Sequence, residues 1–135
     1  MEKTLVMIKP DGVKRQLIGK ITQRFEEKNL RIVELKMETL TKGALEEHYQ
    51  HLIERPFFPD LLTYMMSGPV VLFILEGEQV IEVIRKMVGA TNPLEAEAGS
   101  IRGLYGVSHT ENVVHASDSV AAANNEILRF FGSIH

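Results

Sequence analysis

The run VVLFIL, residues 70–75, constrains this chain more than any other feature. It has no polar position, so a strand built from it can show neither face to water and needs a covering layer on both sides. SGP immediately before it breaks the chain and sets its start. A second compact apolar segment, residues 4–8, stops at KPDG, where Pro10 and Gly12 force a turn. A third, IVELKMET, alternates: Val33, Leu35 and Met37 share one face, while Ile32, Glu34, Lys36 and Glu38 form a mostly polar one. It reads as a half-exposed antiparallel strand. Val113 and Val114 make a short fourth strand that leads into His115.

Between these strands the apolar period lengthens to that of a helix. Ile18, Ile21 and Phe25 share one helical face, with Asn29 as the stop. Thr41 opens a helix on which Leu45, His48, Tyr49 and Leu52 lie together until Pro56 ends it, and a short helix follows over residues 59–66. Val80, Val83, Ile84, Met87 and Val88 form the clearest stripe, with Gly89 at the place of a C-cap glycine. Residues 120–131 make the last helix, for which Ser117, Asp118 and Ser119 are cap candidates. The order βαββαβ predicts an α/β fold (an α+β sandwich) of ferredoxin-like type: a four-stranded antiparallel sheet with helices packed on it. The 135 residues, 44% of them hydrophobic, suit a single domain spanning 1–135.

Residues 90–110 carry no period, and unstructured stretches of that length inside a compact domain are usually functional. Several function classes are disfavoured. A net charge of −3 gives no basic footprint for nucleic acid, and the central strands lack the aromatics on which an RNA-binding sheet stacks bases. There is no cysteine, which excludes thiolate metal sites and fits a reducing cytoplasm. The opening MEKTLVMIKPDG meets charge and a turn too early for a signal peptide, and VVLFIL is too short to cross a bilayer. Gly12 and Gly19-Lys20 are too far apart for a P-loop, and Ile21 stands where that motif needs a hydroxyl. His48 and His51, with Glu47 and Glu54, have metal-ligand spacing but read more simply as a solvated helix edge.

What is left is a constellation. Lys9 ends a strand, Arg85 ends a helix, Arg102 sits in the glycine-rich loop, and His115 precedes a helix N-terminus. Taken singly, each cation is an ordinary surface residue. Converging, they would hold a polyphosphate, with a histidine able to accept a phosphoryl group.

The segments MIKPDGV, EEHY, RPFF, SGPVV, RKMVGATNP, GSIRG and NVVHASDS occur in that order, and with them the whole chain resembles the nucleoside diphosphate kinases. The resemblance implies transfer of the terminal phosphate of a nucleoside triphosphate to a nucleoside diphosphate, through a phosphohistidine on His115 and with Mg²⁺ held mainly by the nucleotide phosphates. It assigns Lys9, Tyr49, Arg85, Thr91, Arg102 and Asn112 to phosphates and sugar, Phe57 to the base, and Glu126 to orienting the imidazole, with Ser117 and Asp118 as supports. Lys9 and Arg102 are expected to face the site without holding the fold. Ala116, Glu111 and the GLYG sequence at residues 103–106 depart from the usual pattern, and Glu111 adds negative charge near an anion site. A homo-oligomer is implied, a hexamer before a tetramer, with residues 31–39 pairing across a two-fold and the 90–110 loop joining dimers. The chain stops soon after its last helix, which keeps the tetramer as the alternative.

Overall fold

The computed structural model describes residues 1–132; the end of the chain, on which the tetramer alternative rests, lies outside them. Strand β1 (Glu2–Ile8) is followed by helices α1 (Pro10–Lys14) and α2 (Ile18–Glu27), then β2 (Arg31–Glu38). Helix α3 (Lys42–His48), a 3₁₀ turn (Gln50–Leu52) and α4 (Phe58–Met65) lead to β3 (Val70–Gly77) and α5 (Val80–Val88). Helix α6 (Ile101–Tyr105), β4 (Val114–Ala116) and α7 (Val120–Phe131) complete it. The sheet has the order β2-β3-β1-β4 with every neighbouring pair antiparallel, as the ferredoxin-like reading requires.

Helices cover both faces, which is why residues 5–8 of β1 and 70–75 of β3 can be apolar without a break. On one side Val6, Ile8, Val71, Phe73 and Leu75 pack with Ile21 and Phe25 of α2 and Val80, Ile84 and Val88 of α5. On the other, Leu5, Met7, Leu72 and Ile74 pack with Leu45 of α3, Met65 of α4, and Ile127 and Phe130 of α7. Phe25 and Phe73 meet edge to face with centroids 5.5 Å apart. Each such fully buried side chain contributes roughly 1.5–3 kcal/mol from area alone.

Four local readings change. The helix opened by Thr41 does not run to Pro56: α3 ends at His48 and the chain tightens into the 3₁₀ turn at Gln50–Leu52. The KPDG segment is not only a turn: Pro10 stands at the start of α1, where a proline lacks no needed donor. The loop at 90–110 contains α6, capped by Ser100, whose Oγ accepts from the Gly103 amide at 3.1 Å. In β2 a bulge between Ile32 and Glu34 rephases the strand. Ile32, Leu35 and Met37 thereby join the α2/α5 face, while Val33 packs on the opposite one. Leu35 and Met37 are 50% and 55% exposed, on the strand that forms one edge of the sheet.

Candidate active site

The C-terminal end of β1, the start of β4 and the loops around α3, α4 and α6 surround a cleft of about 420 Å³. It brings together residues far apart in the chain. Lys9, Tyr49, Phe57, Arg85, Thr91, Arg102, Asn112, His115, Asp118 and Glu126 all line it. Ser117 does not; it is buried behind the wall, with its hydroxyl donating to Glu126 Oε1 at 2.7 Å. The cap of α7 is Ser119, whose Oγ accepts from the Ala122 amide, so Ser117 and Asp118 are released from that duty.

His115 lies on β4 opposite Met7 of β1. Its Nε2 stands 2.9 Å from Glu126 Oε1. Burial pushes the Glu126 carboxyl up, but the hydrogen bond and charge of His115 and the hydroxyl of Ser117 outweigh it, so the group lies below the ordinary carboxylate range. An ionised Glu126 accepts a proton-bearing Nε2, and the imidazole then presents Nδ1 with its lone pair.

Lys9 and Arg102 are braced rather than loose. Lys9 Nζ donates to Asn112 Oδ1 at 2.9 Å, and Asn112 Nδ2 donates to the carbonyls of His109 and Thr91. Burial first, and then the nearby Arg102, lower the Lys9 ammonium to about 8, only partly countered by Asp11. Arg102 is buried, donating from Nη1 to Gly89 O at 3.0 Å and from Nη2 to Val114 O at 2.8 Å. Its Nε–H is buried without a partner, a donor that an anion in the cleft could satisfy. Arg102 therefore does hold the fold, joining the end of α5 to β4, which its place in a loop sequence did not reveal. Burial, with the Glu126 charge second, pushes the Tyr49 phenol up to about 12, so it offers a neutral O–H. Arg85 and Thr91 are exposed on the rim, and Phe57 is half exposed at the mouth with the Arg55 guanidinium 5.7 Å from its ring centroid.

His48 is the neighbour that the solvated-edge reading missed. It is buried, its ring 4.8 Å from that of His115 and 5.2 Å from that of Phe130, and its Nδ1 accepts from Arg129 at 3.0 Å. Burial, followed by the charges of His115, Arg129 and Lys9 against that of Glu126, lowers it to about 3. His48 is neutral at any ordinary pH. The signal was present, since Leu45, His48, Tyr49 and Leu52 share one helical face. His51 is exposed instead. Among the described residues His48, His115 and Glu126 bring ligand atoms within 4.8 Å of one another. With Arg129 on Nδ1, however, neutral His48 keeps its proton on Nε2, and Glu126 is already engaged by His115, so the trio is not a vacant chelate.

A sequence profile described as nucleoside diphosphate kinase matches residues 2–135. The nucleoside diphosphate kinase of Acetivibrio thermocellus is 50% identical over 131 residues, 97% of this chain and 96% of that one. That of Halalkalibacterium halodurans is 52% identical over 133 residues, 98% and 90% of the two chains. The crystal structure of the nucleoside diphosphate kinase from Encephalitozoon cuniculi superposes with a TM-score of 0.95 at 45% identity, covering 98% of this chain and 90% of that one. The Aquifex aeolicus enzyme of the same description gives 0.91 at 41% identity, over 96% and 94%. Sharing that fold, and a large part of its sequence over nearly its whole length, the chain belongs to the nucleoside diphosphate kinase family.

Proposed function

We propose that this kinase carries the terminal phosphate of a nucleoside triphosphate on His115 and passes it to a nucleoside diphosphate, a ping-pong cycle that maintains nucleoside triphosphate pools. The 2.9 Å contact of His115 Nε2 with Glu126 carries the reading, because it leaves Nδ1 as the nucleophilic atom in a cleft that also holds Lys9, Arg85, Arg102 and the neutral donors Tyr49, Thr91 and Asn112. In the first half-reaction Nδ1 attacks the terminal phosphorus, the bond to the bridging oxygen breaks, and the diphosphate leaves with that electron pair. In the second, a terminal phosphate oxygen of the acceptor attacks the same phosphorus and the N–P bond breaks, restoring the neutral imidazole. Glu126 offsets the positive charge that the imidazole gains between the two steps, and Ser117 fixes the carboxylate.

Lys9, Arg102 and Arg85 are the proposed partners of the phosphate oxygens, the arginines as planar forks and Lys9 as a point charge on the transferring group. Tyr49 and Thr91 add neutral donors, Asn112 bridges sugar and phosphate, and Phe57 gives the base a flat face. Since every base has a π-face, base selection is weak. The family works with a divalent metal and nucleotides. We take the ion to be Mg²⁺, which neutralises and orients phosphate oxygens. Of the carboxylates lining the cleft, Glu126 is engaged and Asp118 is exposed, a donor set suited to an ion that arrives on its nucleotide.

Incubation with γ-labelled nucleoside triphosphate should give a phosphoprotein that is acid-labile and base-stable, and parallel double-reciprocal lines across several bases. Intersecting lines or an unlabelled protein would overturn the reading.

The chain is proposed to act as one domain in the cytoplasm, as a homo-oligomer. The edge strand β2 with exposed Leu35 and Met37 supports a two-fold pairing. Leu94, Leu104 and Val107, exposed in the 90–110 segment, support a second contact. A hexamer is favoured over a tetramer. Light scattering at micromolar concentration should give the hexamer mass; a monomer mass refutes assembly, and a tetramer mass refutes the larger ring.

A further inference from the structure

Asp11 takes no part in the chemistry above, yet it is one of the most enclosed charged groups in the molecule at 6% exposure. Its Oδ1 accepts the hydroxyl of Tyr64, and its Oδ2 accepts the backbone N–H of Val113 at 3.1 Å. Val113 is the unusual residue here. Its φ is +76°, a left-handed conformation that a β-branched side chain seldom enters. The Val114 amide donates to Asn112 O at 2.8 Å, closing a γ-turn of the rare, strained kind with Val113 at its centre. The Val113 carbonyl in turn accepts from the Lys9 amide at 2.8 Å. Both polar groups of the strained peptide are thus held from the KPDG segment, one by residue 9 and the other by residue 11.

Gly12 completes the arrangement. A Cβ there would fall 2.7 Å from Ile8 Cγ2, 3.0 Å from Val113 Cγ1 and 3.2 Å from Val113 O, so only glycine lets α1 close on the turn. The turn separates two groups of the site: Asn112, tied to Lys9 Nζ, and His115, two residues further on in β4. Strain of this kind persists only where surrounding contacts over-determine it.

We propose that Asp11 is a positioning residue, whose carboxylate, seated by Tyr64, clamps the γ-turn at Val113 and so sets the placement of His115 relative to Asn112 and Lys9. This rests on His115 being the phosphate carrier. Single-turnover labelling of His115, scored per folded molecule well below the melting temperature, tests it. Asp11→Ala should slow label formation by roughly ten- to a hundredfold, the scale of a misplacement near 1 Å. Asp11→Asn keeps an oxygen for the Val113 N–H, and its amide can donate to the Tyr64 oxygen, so it should recover most of the rate. Asp11→Glu keeps the charge but displaces the oxygens, and should be slow. Asp11→Ala/Val113→Gly should regain speed over Asp11→Ala, because glycine enters the left-handed region without a clamp.

A merely structural Asp11 would lower the melting temperature and leave the labelling rate untouched, which overturns the proposal. If Asp11→Ala does not fold, the other pair decides: Asn fast with Glu slow supports the clamp, and any other order overturns it. An unlabelled wild-type His115 would overturn the function reading and this inference together. A labelled wild type with an equally fast Asp11→Ala overturns the inference alone.

Discussion

His115→Ala should abolish labelling by nucleoside triphosphate and lower turnover by roughly four to six orders of magnitude, the range seen when one member of a nucleophilic unit is removed. The variant should fold. The His115 side chain is 23% exposed, and its loss leaves Glu126 still bonded to the Ser117 hydroxyl. A neighbouring histidine is the obvious substitute, and the geometry denies it the role. His48 has its Nδ1 occupied by Arg129, and in the neutral form its proton is on Nε2, so neither nitrogen offers a lone pair to the cleft. Label should therefore vanish rather than move. Wild-type-like turnover in the variant, or label recovered on His48, would sink the mechanism.

That contrast between two histidines 4.8 Å apart shows what was legible in the sequence and what was not. The strands were, because residues 70–75 admit no polar face and residues 4–8 stop at a proline. Helices α2, α5 and α7 were too, and they cover the sheet on both sides as the apolar runs of β1 and β3 demand, whereas the helix read from Thr41 to Pro56 stops at His48. The bulge in β2 was not, since one extra residue leaves the alternation of IVELKMET intact while changing which side each residue faces. Helix α6, five residues long, is too short to show a period. The site residues could be named by motif and not by pattern: nothing in spacing alone brings Lys9 within 2.9 Å of Asn112, across 103 positions. From the sequence Asp11 reads only as part of a turn, because its partners, Tyr64 and the amide of Val113, lie 53 and 102 positions away. Helix-start chemistry explains the proline of KPDG, while its lysine, aspartate and glycine answer to distant segments.

Lys9→Met and Arg102→Ala should each slow phosphoryl transfer by roughly two to three orders of magnitude, the scale for losing one preorganised donor to developing charge. They should differ in everything else. Arg102 joins Gly89 O and Val114 O, so its removal leaves buried carbonyls unpaired and should lower the melting temperature by several degrees as well. Lys9 has a folded pKa of about 8 against an ordinary value of 10.5. The unfolded chain therefore binds a proton more readily between those values, and the cost of burying the charge is fully present below about pH 8 and fades as pH rises toward 10.5. Exchanging it for a methionine removes that cost, which offsets the lost bond to Asn112, and the variant should stay close to wild type in stability at neutral pH. The same shift predicts a rate profile. In the free enzyme Lys9 loses its charge as pH passes about 8, so kcat/KM should fall above that point with unit slope, and Lys9→Met should lack this limb while Arg102→Ala keeps it, moved to higher pH because the Arg102 charge helps to lower Lys9. Full rate in either variant would refute the role given to that residue. An alkaline limb that survives in Lys9→Met would assign the titration to another group and leave Lys9 as a fixed charge only.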